Sequence, residues 1–149
     1  MQRLEDIDKS LFRFINEASN NLLDYFNLLL IQNGFNMNTQ EWILLSHIIE
    51  HPGKNQKWYG DNILKDKTTT MRLVDTLEKK RLIERVADGT DRRHNLLYST
   101  EEGKHLIEQT IPFINDAFQS IFSDIETDQL IATMNVLKEV IGRLSLFTK

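Results

Sequence analysis

The chain has no cysteine, which excludes disulfides, thiolate metal sites and thiol redox switches. Proline and glycine are scarce, at 2 and 6 of 149 residues, so long helices are expected in place of a turn-rich all-β fold. No apolar run approaches the roughly 18 residues of a membrane helix. The longest, Leu28 to Ile31, is broken at once by Gln32 and Asn33. Arg3, Glu5, Asp6, Asp8 and Lys9 crowd the first ten residues and leave no apolar signal-peptide core, and a cytoplasmic protein with no membrane partner is expected. A nucleophile–base pair, a phosphate-cradling glycine loop and paired carboxylates are all missing, so no catalytic residue and no cofactor are expected. His47 and His51, with Glu50 beside them, are the one conceivable metal or catalytic group. The register leaves His47 partly exposed and puts His51 at a helix end, and no metal site is expected.

Apolar residues make up 40% and charged residues 27%, a soluble globular composition. The net charge of −4 hides an uneven distribution. Residues 53–95 carry 11 Lys or Arg against 7 Asp or Glu, a surplus of four positive charges, whereas the rest of the chain carries 7 against 15. A basic middle between acidic ends fits a polyanionic partner, although an uneven solvated surface would read the same way.

Apolar positions 7, 11, 12, 15, 22, 23, 26, 29 and 30 are spaced mostly by threes and fours, which predicts an amphipathic helix from Ile7 to Gln32, stopped at Asn33-Gly34. Thr39 is expected to cap a second helix with Trp42, Leu45, Ile48 and Ile49 on its apolar face, closed by Pro52-Gly53. A short third helix is expected from an Asn55 cap to about Leu64. A fourth, capped by Asp66 or Thr68, runs to about Lys80, with Met71, Leu73, Val74 and Leu77 turned inward and Thr68, Thr69, Arg72, Thr76 and Lys79 turned outward. Two short strands, Leu82 to Val86 and Asn95 to Tyr98, flank a charged hairpin tip with an Asp-Gly turn. Ser99 or Thr100 caps a fifth helix from Glu101, which Pro112 should kink or restart, and Thr127-Asp128 caps the last. The predicted order is α-α-α-α-β-β-α-α, a mostly α chain with a small β-hairpin wing.

The third and fourth helices followed by a basic-tipped hairpin suggest a winged helix-turn-helix, the fourth helix entering the major groove. Lys67, Thr68, Thr69, Arg72, Thr76 and Lys79 would face the duplex. Thr68 and Thr69 suit a phosphate or a thymine methyl; Arg72 has the planar fork for guanine O6 and N7, or contacts phosphate instead. Arg92 and Arg93 at the hairpin tip suit a narrow minor groove.

The run from Asp66 to Arg85, the Asp91-Arg92-Arg93 tip and the Thr100 to Gly103 segment together resemble the MarR family of winged helix-turn-helix regulators. The likeness extends over nearly the whole chain. It implies one protomer over 1–149, with a DNA-binding lobe at 36–100 and dimerisation helices at 1–35 and 101–149. It further implies a homodimeric repressor on a palindromic operator, with a small-molecule effector held between base and lobe; a protein-interaction module on the same winged-helix scaffold, without specific DNA binding, is the alternative reading. Residue by residue, Asp91 would pair with Arg93 to stiffen the wing, and Gln56 and Lys57 would lie near phosphates at a helix start. Phe26, Trp42 and Phe113 would line the effector space, with core packing the favoured alternative for each. Trp58 stands where relatives often have a charge and could touch the DNA backbone. Two positions depart from the pattern. Arg81 replaces a glycine, which predicts an altered turn after the fourth helix, and Ser99 replaces an apolar residue.

Overall fold

The computed structural model describes residues 4–63, 66–91 and 94–147. The elements run α1 (Leu4–Gln32), α2 (Thr39–Glu50), β1 (Lys54–Asn55), α3 (Gln56–Asn62), α4 (Lys67–Lys79), β2 (Ile83–Ala87), β3 (Asn95–Ser99), α5 (Glu101–Phe122) and α6 (Thr127–Leu144). The six expected helices and both expected strands are present. The strands lie one residue further along than expected at three of their four ends. β1 is an addition: Lys54 and Asn55 pair antiparallel with Leu97 and Leu96, completing a sheet of order β1-β3-β2. Among the described residues no helix is long and apolar enough to cross a membrane.

The chain divides into two compact units, 1–111 and 112–149. In the first, Leu30, Leu44, Leu45, Ile48, Tyr59, Leu73, Val74, Leu77, Leu82, Ile83 and Leu97 form one buried cluster drawn from α1 to α4 and the sheet. Each such aliphatic side chain contributes about 1.5–3 kcal/mol by leaving water. In the second, α6 has no buried residue, and Ile131, Met134, Val136, Ile141 and Leu144 are all exposed.

Helix ends depart from expectation at α1, which begins at Leu4 and not at Ile7, and in three further places. Asn38, not Thr39, caps α2: its side chain accepts from Glu41 N at 2.9 Å while the Glu41 carboxylate accepts from Asn38 N at 3.2 Å, a reciprocal capping box. Thr39 turns back to α1 instead, donating its N–H to Asn27 Oδ1 and its hydroxyl to Leu23 O. α3 ends at Asn62 and not near Leu64, a residue outside those described. α6 begins after Glu126, with no side-chain cap from Thr127 or Asp128. At α5 the cap is Thr100, whose Oγ1 accepts from Gly103 N at 3.0 Å, and α5 continues through Pro112 without restarting.

α4 ends in a left-handed turn that carries an arginine. Arg81 has φ +60°, its N–H donates to Glu78 O at 2.8 Å, and Leu82 N donates to Leu77 O at 3.0 Å. These two bonds are the Schellman pattern that glycine usually completes. The turn is therefore not altered by the substitution: Arg81 adopts the glycine conformation, held there by both bonds and by the burial of Leu82 at 4% exposure.

Candidate nucleic-acid interface

Two caps fix the helix pair. Asn55 accepts from Trp58 N at the start of α3, and Asp66 accepts from Thr69 N at the start of α4, both at 2.9 Å. Asp66 also accepts from the Thr69 hydroxyl at 2.6 Å. These bonds, the hydroxyl's foremost, hold the Asp66 carboxyl below the usual carboxylate range. On α4 the inward face is Thr70, Leu73, Val74 and Leu77. Thr70 is buried on this face, with its hydroxyl satisfied by donation to Asp66 O at 2.9 Å. Met71, expected inward, is 47% exposed and shares a shallow outer groove with Thr68, Arg72, Asp75, Thr76 and Lys79. The helix rotates so that its stripe centres on 70, 73, 74 and 77, which carries Met71 to the rim.

The expected DNA-facing residues fall into two groups. Lys67, Thr68, Arg72 and Lys79 are exposed on α4, and none has a hydrogen-bond or ion-pair partner among the described residues through its side chain. Thr69 and Thr76 are half-buried, with hydroxyls committed to Asp66 and to Arg72 O. Gln56 is half-buried at the start of α3, and Lys57 is exposed but paired with Asp61 at 2.6 Å, a surface bridge of small net worth. Between α3, the start of α4 and β3 runs a cleft of about 570 Å³ lined by Gln56, Lys57, Lys67, Arg85, His94 and Asn95, among others.

Sequence reasoning missed the fate of two cations in the basic middle. Lys80 reaches back to Glu41 at 2.7 Å and to Asn36 O at 2.8 Å. Arg85, on β2, bonds both Asp75 and Glu78 of α4. Part of the lobe's positive charge is thus paired inside it, while Lys67, Arg72 and Lys79 stand exposed on α4.

At the wing, Asp88 accepts from Thr90 N at 2.8 Å and from its hydroxyl at 2.7 Å, which lowers the Asp88 carboxyl. His94 Nε2 lies 3.7 Å from Asp91. Arg92 and Arg93, and with them the expected Asp91–Arg93 pair, lie outside the described residues. Trp58 is half-buried against the core cluster, edge-on to His51 and Tyr59 with Lys54 5.8 Å above its ring, so it is packed inward more than presented. His47 Nδ1 sits 3.0 Å from Ile43 O.

Of the expected effector-lining residues, Phe26 is buried at 7% exposure. Trp42 is half-buried and donates Nε1–H to Thr110 Oγ1 at 2.7 Å. Phe113 belongs to the second unit and is 38% exposed.

Comparison with known proteins agrees with this architecture. Residues 35–94 match the model of the MarR family. The chain is 26% identical over 130 residues to the HTH-type transcriptional regulator MhqR of Bacillus subtilis, covering 87% of this chain and 88% of that one. Its fold is similar to the transcriptional regulator BldR of Sulfolobus solfataricus, with a TM-score of 0.84 at 20% identity over 95% of this chain and 99% of that one. It is also similar to Streptococcus pneumoniae FabT, solved in complex with DNA, with a TM-score of 0.75 at 18% identity over 94% and 99%. The match of the lobe, the likeness to MhqR over most of the chain and the shared fold make the chain similar to the MarR family of transcriptional regulators.

Proposed function

We propose that the chain is a homodimeric repressor that binds a palindromic operator through α4 and is released by a small-molecule effector. The observation that carries the reading is the outer face of α4, where Lys67, Arg72 and Lys79 have no ion-pair partner among the described residues while Lys57, Lys80 and Arg85 are paired. Cations left uncompensated on one exposed helix are what a phosphate backbone and guanine edges require. Arg72 reads a base, with Thr68 and Lys67 beside it; Lys79 takes phosphate. Gln56 and Lys57 approach phosphate from the start of α3, and Arg92 and Arg93 enter the minor groove.

The dimer is supported by apolar side chains that one protomer leaves in water. Phe12 and Phe14 of α1 are 75% and 56% exposed, and Ile141 and Leu144 of α6 are 55% each. Large apolar surfaces of this kind mark contact with another protein, and a second copy supplies the same faces by symmetry. Two lobes then meet half-sites about one helical turn apart, roughly 34 Å. An effector lowers affinity by binding more tightly to a lobe spacing that misses the operator.

The test is selection of random duplexes by the purified protein at near-physiological salt, followed by sequencing. The expected product is a palindrome with half-sites one turn apart. Retention without sequence preference would reduce the reading to backbone electrostatics, and no retention would sink it.

A further inference from the structure

Arg85 sits in the basic middle of a DNA-binding lobe, yet its guanidinium is turned inward. It shares the face of β2 with buried Ile83, since residues two apart on a strand point the same way. That face packs on α4, where Asp75 and Glu78 stand three apart and so side by side. Nη2 of Arg85 bonds Asp75 Oδ1 and Nη1 bonds Glu78 Oε2. The Arg85 side chain is 25% exposed, against 56% for Asp75 and 39% for Glu78, so the arginine is the inner member of the triad. Arg85 lies directly opposite Leu97 in the β2–β3 ladder, so whatever holds Arg85 holds the hairpin that carries the wing.

We infer that Arg85 is a positioning residue: it braces the wing hairpin against the recognition helix through Asp75 and Glu78, and it does not itself contact DNA. This rests on the DNA-binding reading above. A half-site is engaged by α4 in one groove and by the wing in another, so their mutual placement decides how well both fit at once. Specific binding depends on that placement. Non-specific binding, which is chiefly charge, does not.

The experiment titrates a fluorescein-labelled duplex carrying the selected palindrome, and a scrambled duplex, with wild type, Arg85→Gln and the double variant Asp75→Asn/Glu78→Gln over a range of salt. Circular dichroism melts establish that each variant folds. For a brace, the double variant loses about fivefold or more in specific affinity although it sheds two negative charges, as coupled networks do when opened. Arg85→Gln loses a similar factor, and a triple variant that combines all three substitutions is no worse than either. The dependence of log affinity on log salt keeps its slope, and scrambled-duplex affinity does not fall. If Arg85 contacts phosphate, the double variant binds both duplexes more tightly and Arg85→Gln lowers the salt slope by about 0.9; that result overturns the inference. Unchanged specific affinity in all variants overturns it too. Should Arg85→Gln fail to fold, the double variant decides alone, because the two readings give it opposite signs. Wild type that binds neither duplex removes the DNA-binding reading and this inference with it.

Discussion

Lys80 places its ammonium 2.7 Å from the Glu41 carboxylate and so ties the last turn of α4 to the first turn of α2. Both charges sit where the helix dipoles favour them, an anion at an N-terminus and a cation at a C-terminus. Glu41 is 7% exposed in its side chain, so it depends on this partner and on Asn38 N for its solvation.

Lys80→Met leaves that carboxylate uncompensated and should cost about 2 kcal/mol of stability. Adding Glu41→Gln should return part of the loss, because a glutamine still completes the capping box while carrying no charge. Urea unfolding reads both, through the midpoint at constant slope. A single variant as stable as wild type refutes the dependence.

Arg81→Gly should stabilise the protein by about 0.5–1 kcal/mol, since the left-handed penalty of a side chain outweighs the extra chain entropy of glycine. The melting temperature would rise by about 2 °C. A lower value would mean that the Arg81 side chain earns more than its backbone loses.

Gly103→Ala should cost about 2–3 kcal/mol, because overpacking here meets backbone that cannot step aside. A Cβ at this position would stand 2.2 Å from Leu82 O, an oxygen that already accepts from Thr100 N at 3.0 Å. Moving it would disturb the Schellman turn and the start of α5 together. An undiminished midpoint in thermal unfolding would show that the two segments slide apart freely.

At the interface, Arg72→Ala and Lys79→Ala should differ in kind. Loss of Arg72 should cost about 1–3 kcal/mol of operator binding and relax preference at one base pair. Loss of Lys79 should weaken all sequences alike and lower the salt slope by about 0.9. Parallel selection with both variants separates these outcomes; identical profiles would mean that both residues touch phosphate only.

Asp66 predicts an acid response of the α4 start. Its folded pKa is depressed, so its capping contribution is complete above the usual carboxylate range and is lost as pH falls through the lowered folded value. Asp66→Asn keeps a capping oxygen and should remove that pH dependence. Amide signals of Thr68 and Thr69, followed by NMR on acidification, test it; equal titration in both proteins would assign the response elsewhere.

Much of this was legible in the sequence because helical periodicity and caps are local. Asn55 reads as a cap from its position, Asp66 does so with Thr68 as the alternative, and Thr68, Arg72 and Lys79 lie on the exposed side of α4 as expected. β1 was illegible because two residues make no period. Met71 was misassigned because it lies one position from the stripe centre, and only the buried Thr70 hydroxyl reveals the rotation. Asn38 and Thr39 are both good caps, and the choice turned on Asn27 and Leu23 of another helix, which occupy Thr39. The Lys80–Glu41 tie joins residues 39 apart, and such pairings leave no trace in spacing. Arg81 shows the converse: the sequence marked the site correctly, but tertiary bonds overrode its conformational preference.

The bond from Trp42 to Thr110 gives the protein an optical gauge of its own. Thr110 is fully buried, accepts from the indole and donates to Ile107 O at 2.6 Å, so the Trp42 ring is locked to α5 by a relay of fixed direction. The other tryptophan, Trp58, lies on α3 among His51, Lys54 and Tyr59. Replacing Trp58 with phenylalanine leaves one tryptophan, whose emission, excited to the red of tyrosine absorption, reports whether α2 and the start of α5 remain joined. Any small molecule that parts them would announce itself by a shift of that emission, without a label.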